Sequence, residues 1–461
     1  MSVAAVILAA GIGKRMKSGT PKVLHPVLGR PMLSYVLDAV RGISPKKIVV
    51  VVGHGRDDVK ESLGSNGVHF AEQKTQLGTG HAANCARGEL AGFKGNILIL
   101  NGDFPLITSK SLNSLVKKHI HERADVSFLT ANVASPSGYG RVLRNGNGEV
   151  EKIVEEKDAS LGEKKIAEIN SGTYCVKAGF LWDSLRSISS GNRQKEYYLT
   201  DMIEIARKRS RRVLGVLARD PSEALGVNDR VQMSEVEALL RKRINDSLMR
   251  AGVTMVDPGT TFISPDVRIG PDTVIYPNTY IYGKTVIGRG SSIGPGAWIE
   301  DSALGNGVTV RLSSYISGSV IGDNVTVGPF AHLRPGAEIL DSAKIGNFVE
   351  IKKSRIGRGS KVPHLSYVGD AVIGKDVNIG AGTVTCNYDG FRKHETVIDD
   401  GVFIGSDTML VAPVKVGRGA TTGAGSTITK DVPEGALAIG RARQTVIENW
   451  SRKPREGKGK K

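Results

Sequence analysis

The sequence predicts two architectures in series, an α/β domain with a mostly parallel sheet and then a parallel β-helix. Three observations predict it. From about Ile263 to Ile428 an aliphatic residue stands at almost every sixth position, very often followed by glycine. Over the first half, β-like runs alternate with amphipathic helical stretches. The chain holds 57 glycines and only 5% aromatic residues, which suits a solenoid with tight corners and a narrow interior.

The repeat is regular enough to read residue by residue. Ile263, Ile269, Ile275, Ile281, Ile287, Ile293 and Ile299 are in strict register. After one-residue slips the pattern resumes through Leu304, Val310, Ile316, Ile321, Val327, Leu333, Ile339, Ile345 and Ile351. It slips again at Ile356 and Ile373, reaches Ile379, and returns after a gap at Ile404, Leu410, Val416, Thr422 and Ile428. A period of six matches neither a helix (about 3.6) nor a half-exposed strand (about 2.0). It matches a coil of three short flat sides, each turning one aliphatic residue inward, which is the hexapeptide β-helix. A Gly-rich sandwich would need the register by accident. The interruption between Thr385 and about Ile398 marks a protruding loop.

The first half is segmented differently. Val3–Leu8, Lys47–Val52, Ile97–Leu100 and Asp125–Thr130 read as strands, and Met32–Val40 and Ser111–His119 as helices. From Asp229 to Ala251, Val231, Val236, Leu239, Leu240, Ile244 and Leu248 recur near helical spacing without glycine or proline, predicting a long connecting helix. Gly252 and Pro258-Gly259 end it. The domains expected are therefore residues 1–229, a linker helix 230–251, a β-helix 252–450, and a basic tail 451–461 of disordered composition.

Composition excludes several classes. Cys85, Cys175 and Cys386 are far apart, with no CxxC or metal-ligand spacing, so a reducing cytoplasm is the simplest setting. The run Val3–Ala10 lacks the basic flank of a signal peptide, and no stretch reaches the roughly 20 apolar residues of a membrane helix. Net charge is +17, but basic and aromatic residues are not interleaved, so anionic small substrates are expected rather than nucleic acid.

The first strand runs into Leu8-Ala9-Ala10-Gly11-Ile12-Gly13-Lys14-Arg15-Met16, then Pro21-Lys22. A glycine turn after a first strand exposes N–H groups that can cradle phosphate. Met16 replaces the third glycine of a dinucleotide-binding GxGxxG, which weakens that reading. The string through His25-Pro26 and Gly29-Arg30-Pro31-Met32 resembles the sugar-1-phosphate nucleotidyltransferases. Gln76-Leu77-Gly78-Thr79-Gly80-His81-Ala82 and Asn101-Gly102-Asp103 reinforce it. The resemblance implies a Rossmann-like nucleotidyltransferase domain. Leu8, Ala9, Ala10, Gly11, Asn101 and Gly102 would form its nucleotide-side backbone, Lys22 and Arg15 would steady the triphosphate, and Gln73, Gly78 and Thr79 would bracket the uracil. It also implies Mg²⁺ held by Asp103 and Asn228, and acceptor-sugar contacts from Gly140, Glu155 and Asn170. Lys14 departs from the threonine expected there.

The second half carries its own motifs. These are Gly328–Gly336, Gly346–Lys353, His364–Asp370, Asn378–Gly382 and Thr385–Gly390. With the N-terminal string they resemble, over nearly the full chain, the bacterial bifunctional N-acetylglucosamine-1-phosphate uridyltransferases / glucosamine-1-phosphate acetyltransferases. The resemblance implies a left-handed parallel β-helix acetyltransferase domain, UTP and acetyl-CoA as co-substrates, and a homotrimer. It makes His364 the general base that takes a proton from a sugar amine. Arg334 and Lys352 would grip the sugar phosphate, and Tyr367, Asn378, Asn387 and Tyr388 would complete that pocket. Ala381, Ser406, Ala424 and Arg441 would line the acetyl-CoA groove. The rival readings are a single-activity nucleotidyltransferase with a structural β-helix, and a regulatory subunit without activity. The former predicts no acetyltransferase constellation and the latter loss of Lys22, Asp103 or His364, yet all these residues are present.

Overall fold

The N-terminal apolar run folds as strand β1 (Val3–Ala9). In the computed structural model, which describes residues 2–64 and 67–450, alternate residues of β1 enter two different cores. Ala4 and Val6 pack on one face of the sheet, Ala5, Ile7 and Ala9 on the other. A strand covered on both faces must be apolar throughout, which is why this stretch shows no alternation.

The other strands of this sheet are β2 (Ile48–Val52), β3 (Val68–Glu72), β4 (Asn96–Asn101), β5 (Val126–Asn132), β6 (Arg141–Arg144), β7 (Val150–Val154), β8 (Glu168–Lys177) and β9 (Val213–Leu217). Their order is β9-β5-β8-β4-β1-β2-β3, with β6 and β7 attached beside β8. The four expected strands sit within two residues of their expected ends. The sheet is mixed, however, because β8 runs antiparallel to both β4 and β5. Helix Met32–Arg41 buries Leu33, Val36, Leu37 and Val40 against the sheet. Helix Ser109–His121 begins two residues earlier than expected, since Thr108 caps it: its hydroxyl oxygen accepts from the Ser111 amide at 3.3 Å.

A helix spans Arg230–Arg250, but the chain divides into two compact units inside it, between Arg243 and Ile244. The reason lies in its side chains. Val236 and Leu240 are buried within the first unit, whereas Ile244, Leu248 and Met249 pack on the core of the second. Val231 and Leu239, expected on the apolar stripe, are 69% and 37% exposed. Each half of the helix thus belongs to the unit it covers.

The second unit is a solenoid of three parallel sheets with eleven, ten and nine strands. Phe262 pairs with Tyr280 and Tyr280 with Trp298, so one coil takes 18 residues, three hexapeptides. Where the sequence slips, Trp298 pairs with Tyr315 and Tyr315 with His332, coils one residue shorter. Nearly all the aliphatic repeat residues are fully buried in a single core. Each such isoleucine contributes about 1.5–3 kcal/mol relative to exposure. Coils stack by backbone bonds between equivalent residues, so the interior is a column of like side chains. Among the described residues no helix is long and apolar enough to cross a membrane. The tail 451–461 lies outside the described residues.

Candidate functional site

In the first unit, Leu8 of β1 stands level with Asn101 of β4. The chain leaves β1 toward β2 on one side and later adds β4 on the other, so strand order reverses between them. A crevice opens there beyond the carboxyl ends, where open α/β sheets take ligands. It encloses about 590 Å³, within the range of small-molecule pockets. Ten of the expected residues line it: Leu8, Ala9, Ala10, Gly11, Lys22, Gln73, Gly78, Thr79, Asn101 and Asp103.

Local geometry explains the shape of this wall. Gly13 has φ +66°, and a Cβ on it would lie 2.7 Å from the Lys22 Cβ. Glycine therefore lets the loop after β1 cross the short 3₁₀ turn carrying Lys22. That crossing brings Lys14 onto the cleft wall and leaves Arg15 exposed on the same turn, outside the lining residues. Gln73 is held from its amide nitrogen, which donates to the Gly78 carbonyl at 3.1 Å and lies 3.0 Å from His81 Nδ1. The Thr79 hydroxyl accepts from the Leu199 amide at 3.0 Å. Lys157, Gln194, Glu196, Gln76 and Ile12 also line the cleft and were not expected. Ile12 and Gln76 stand inside the two motifs already read from the sequence, whereas Lys157, Gln194 and Glu196 come from segments far along the chain.

Asn228 arrives from 206 residues beyond Lys22. The Lys22 ammonium donates to the Asp103 carboxylate and, at 3.3 Å, to Asn228 Oδ1. Two hard oxygen donors thus converge on a cation, the donor chemistry that Mg²⁺ takes. Among the described residues no three His, Cys, Asp or Glu side chains gather as a protein-only cage. A metal here would complete its shell with phosphate and water.

Gly140, Glu155 and Asn170 form an adjoining cluster. The Asn170 amide donates to the Gly140 carbonyl at 2.9 Å, and a Cβ on Gly140 would lie 3.6 Å from Glu155 Oε2. Gly172, next in the chain after Ser171, packs against the Asn101 side-chain amide, which joins this cluster to the cleft. Burial raises the Glu155 carboxyl above the usual range, although the Thr200 hydroxyl donates to it at 3.0 Å. The Tyr174 hydroxyl accepts from the Asn170 side chain at 2.6 Å.

In the second unit the expected residues fall at one corner and the side next to it. His364 ends a strand (Lys361–His364) directly above Asn347 of the preceding coil. Its Nδ1 lies 2.6 Å from Asn347 Oδ1. An amide oxygen only accepts, so Nδ1 carries the proton and Nε2 keeps a free lone pair. Asn347 was not among the expected site residues; the signal was its place one coil before His364.

On the adjacent sheet, Glu350 is level with Tyr367 and Lys352 with Gly369. Arg334 Nη1 donates to Glu350 at 2.8 Å. The coil after Ala371 is longer: Ala371 pairs with Thr396, 25 residues on, where Phe262 pairs with Tyr280 after 18. The surplus is the loop seen as an interruption. Asp389 organises it, accepting from the Phe391 and Arg392 amides at 2.7 and 2.6 Å and pairing with His394 at 2.6 Å. These contacts hold its carboxyl far below the usual range. Tyr388 bridges to Lys393, and Asn387 donates to Asp370. The Lys352 ammonium holds that of Lys393 below the usual lysine range. Lys393 is the second residue absent from the expected set, because it comes into place only through the loop.

Asn378 pairs with Lys361, three residues before His364. Ala381, Ser406 and Ala424 follow one another at successive turns of the same corner. The Asp407 amide donates to the Ala381 carbonyl at 2.7 Å and the Gly425 amide to the Ser406 carbonyl at 2.8 Å. The Arg441 stem passes 3.8 Å from where a Gly425 Cβ would be. The four expected groove residues form one column, with His364 at its near end.

Comparison with known proteins matches each region. Residues 5–161 match the MobA-like NTP transferase domain, 257–340 the GMPPB C-terminal domain, and 395–430 the bacterial transferase hexapeptide (six repeats). The chain is 50% identical over 458 residues to Bifunctional protein GlmU of Geotalea uraniireducens, covering 98% of this chain and 99% of that one. It is 53% identical over 445 residues to Bifunctional protein GlmU of Caldanaerobacter subterraneus, covering 96% of each. The Carboxydothermus hydrogenoformans protein of the same name is 52% identical over 445 residues, 96% of this chain and 99% of its own. Identity at this level over both units, in the same order, means that the chain belongs to the bifunctional GlmU family.

Proposed function

We infer that the chain is a bifunctional enzyme making UDP-N-acetylglucosamine. Its C-terminal unit transfers the acetyl group of acetyl-CoA to glucosamine-1-phosphate. Its N-terminal unit then transfers the uridylyl group of UTP to the N-acetylglucosamine-1-phosphate so formed, releasing pyrophosphate. The observation that carries this reading is the coexistence of two polar constellations in one chain. Lys22, Asp103 and Asn228 meet at the switch-point cleft, and His364 is anchored on Asn347 at the head of the small-residue column. A nucleotidyltransferase with a merely structural β-helix leaves the second constellation without a use.

In acetyl transfer the sugar amine attacks the thioester carbonyl; the C–N bond forms, the C–S bond breaks, and coenzyme A leaves as the thiol. His364 Nε2 takes the amine proton, and Asn347 keeps the ring in the tautomer that can do so. Arg334, Lys352 and Lys393 bind the sugar phosphate, while Tyr367, Asn378, Asn387 and Tyr388 enclose the sugar. Ala381, Ser406, Ala424 and Arg441 bound the acetyl-CoA groove.

In uridylyl transfer the sugar phosphate attacks the α-phosphorus of UTP and the α–β anhydride bond breaks. Gln73, Gly78 and Thr79 hold the uracil, while Gly140, Glu155 and Asn170 hold the acceptor sugar. Lys22 and Lys14 face the triphosphate from the cleft wall, and Arg15 closes over it from the adjoining turn. Asp103 and Asn228 would hold Mg²⁺, which would supply neutralisation of charge on the departing pyrophosphate. The protein's part is positioning and electrostatics rather than covalent chemistry. The setting proposed is cytoplasmic, where all these substrates are small soluble anions.

The test is a single incubation of pure protein with acetyl-CoA, glucosamine-1-phosphate, UTP and Mg²⁺, measuring both thiol and pyrophosphate. Asp103→Ala is expected to abolish pyrophosphate release and spare thiol release, and His364→Ala to do the reverse, since the two residues belong to different units that share no partners. EDTA is expected to silence only the first. Loss of both activities from either substitution in a folded protein would defeat the two-site reading.

A further inference from the structure

In the first unit, helix Ser109–His121 and the edge strand β9, with the turn after it, enclose a second cleft of about 710 Å³. It shares no lining residue with the nucleotide cleft. Its floor is apolar: Leu129, Val216 and Ala218 are all buried. Its rim carries Lys110, Lys117 and Lys118 from the helix and Arg219 from the turn. All four are exposed, and none of their side chains has a hydrogen-bonding or ion-pair partner among the described residues. The two acids present are already engaged. Asp220 accepts from Ser222 and, at 3.2 Å, from Arg243. Glu223 accepts from the Thr108 amide at 3.2 Å and its hydroxyl at 3.1 Å. Five cations and two carboxylates line this one space, so the cations outweigh the acids, and a bound anion relieves the repulsion that remains.

We propose that this cleft is a regulatory anion site for a phosphorylated small molecule of nucleotide size. The rim takes the phosphates and the apolar floor a flat ring, in a volume usual for such ligands. The site is also wired to the metal-side residues. Asp103–Thr108 and Glu223–Asn228 run side by side, tied at one end by Glu223 and Thr108 and at the other by the Val227 amide, which donates to the Asp103 carbonyl at 2.9 Å. Arg243 of the cleft donates to the Leu106 carbonyl at 2.8 Å, midway along. A ligand that shifts Thr108, Glu223 or Arg243 therefore shifts Asp103 against Asn228. The regulatory half of the proposal rests on the uridylyl-transfer reading.

The experiment titrates the full chain by calorimetry with ADP and with inorganic tripolyphosphate, the nucleotide cleft being first saturated with UDP-N-acetylglucosamine. One further equivalent is expected to bind, with an affinity that falls with salt. In the double variant Lys117→Glu, Arg219→Glu it is expected to weaken about tenfold or more. ADP binding more tightly than tripolyphosphate assigns the floor to a base; equal binding assigns the site to the phosphate chain alone. Wild-type KM for UTP is expected to change with ADP present, the double variant's not, and acetyl transfer in neither. No binding beyond the occupied cleft, or equal binding by the variant, overturns the proposal. Retained UDP-N-acetylglucosamine binding shows that the variant is folded. If that sugar nucleotide does not bind even the wild type, the function reading fails instead, and the charge-reversal comparison still decides the second site.

Discussion

Asn347 decides which nitrogen of His364 is free to act. With Nδ1–H committed to the amide oxygen at 2.6 Å, the acceptor points away from the preceding coil. Asn347→Ala releases the ring and mixes its tautomers, so thiol release from acetyl-CoA is expected to fall about tenfold or more, with pyrophosphate release unchanged. Steady-state kinetics of both half-reactions check this; equal loss in both would mean a folding defect. Asp201 offers a stability test at the same scale. Burial and the carboxylates of Glu204 and Asp158 push its pKa up from 3.8 to about 6, despite its place at the start of a helix. Below about pH 4 it is protonated whether the chain is folded or not. Between about pH 4 and 6 the folded state holds a proton the unfolded state has lost, so stability falls as pH rises through that window. Asp201→Asn is therefore expected to melt higher than wild type near pH 7.5, with the advantage vanishing toward about pH 4. Thermal melts at both pH values decide it.

At the scale of the element, the longer coil after Ala371 turns a structural repeat into a site. The loop organised by Asp389 brings Lys393 beside Lys352, two ammonium groups that repel each other. Lys393→Ala is expected to raise KM for glucosamine-1-phosphate by roughly tenfold with kcat largely kept, the mark of lost uniform binding. A fall in kcat alone would instead place Lys393 in the chemistry.

The whole molecule keeps its two chemistries in separate units, with the dividing helix shared between their cores. The β-helix side exposes Phe330, Phe348 and Leu365, two of them stacked with ring centroids 5.3 Å apart. An exposed apolar strip beside the exposed His364 suits a neighbour of the same kind, and we propose a homotrimer with the acetyl-CoA groove between subunits. A cyclic, heterologous interface closes naturally for a three-sided prism. Dissociation by dilution or interface substitution is expected to remove acetyl transfer and leave uridylyl transfer intact. Sedimentation of a fully active monomer would contradict it.

The sequence alone determined the architecture of the second half. A six-residue period has one physical solution, and every repeat position restates it, so the buried column could be named residue by residue. It also located the ends of β1 and β4 and their turn motifs, because glycine and charged residues leave local traces. What only the tertiary structure decided are relations between residues with no local trace. The antiparallel β8 is one, since pairing direction depends on how the chain returns rather than on its composition. The division inside the helix Arg230–Arg250 is another, set by which core each turn covers. The pairing of Asn347 with His364 and of Lys393 with Lys352 depends on coil register and loop length. So does the ring of unpaired cations around Val216, in which Lys117 and Arg219 lie a hundred residues apart and meet only because a helix lies across an edge strand.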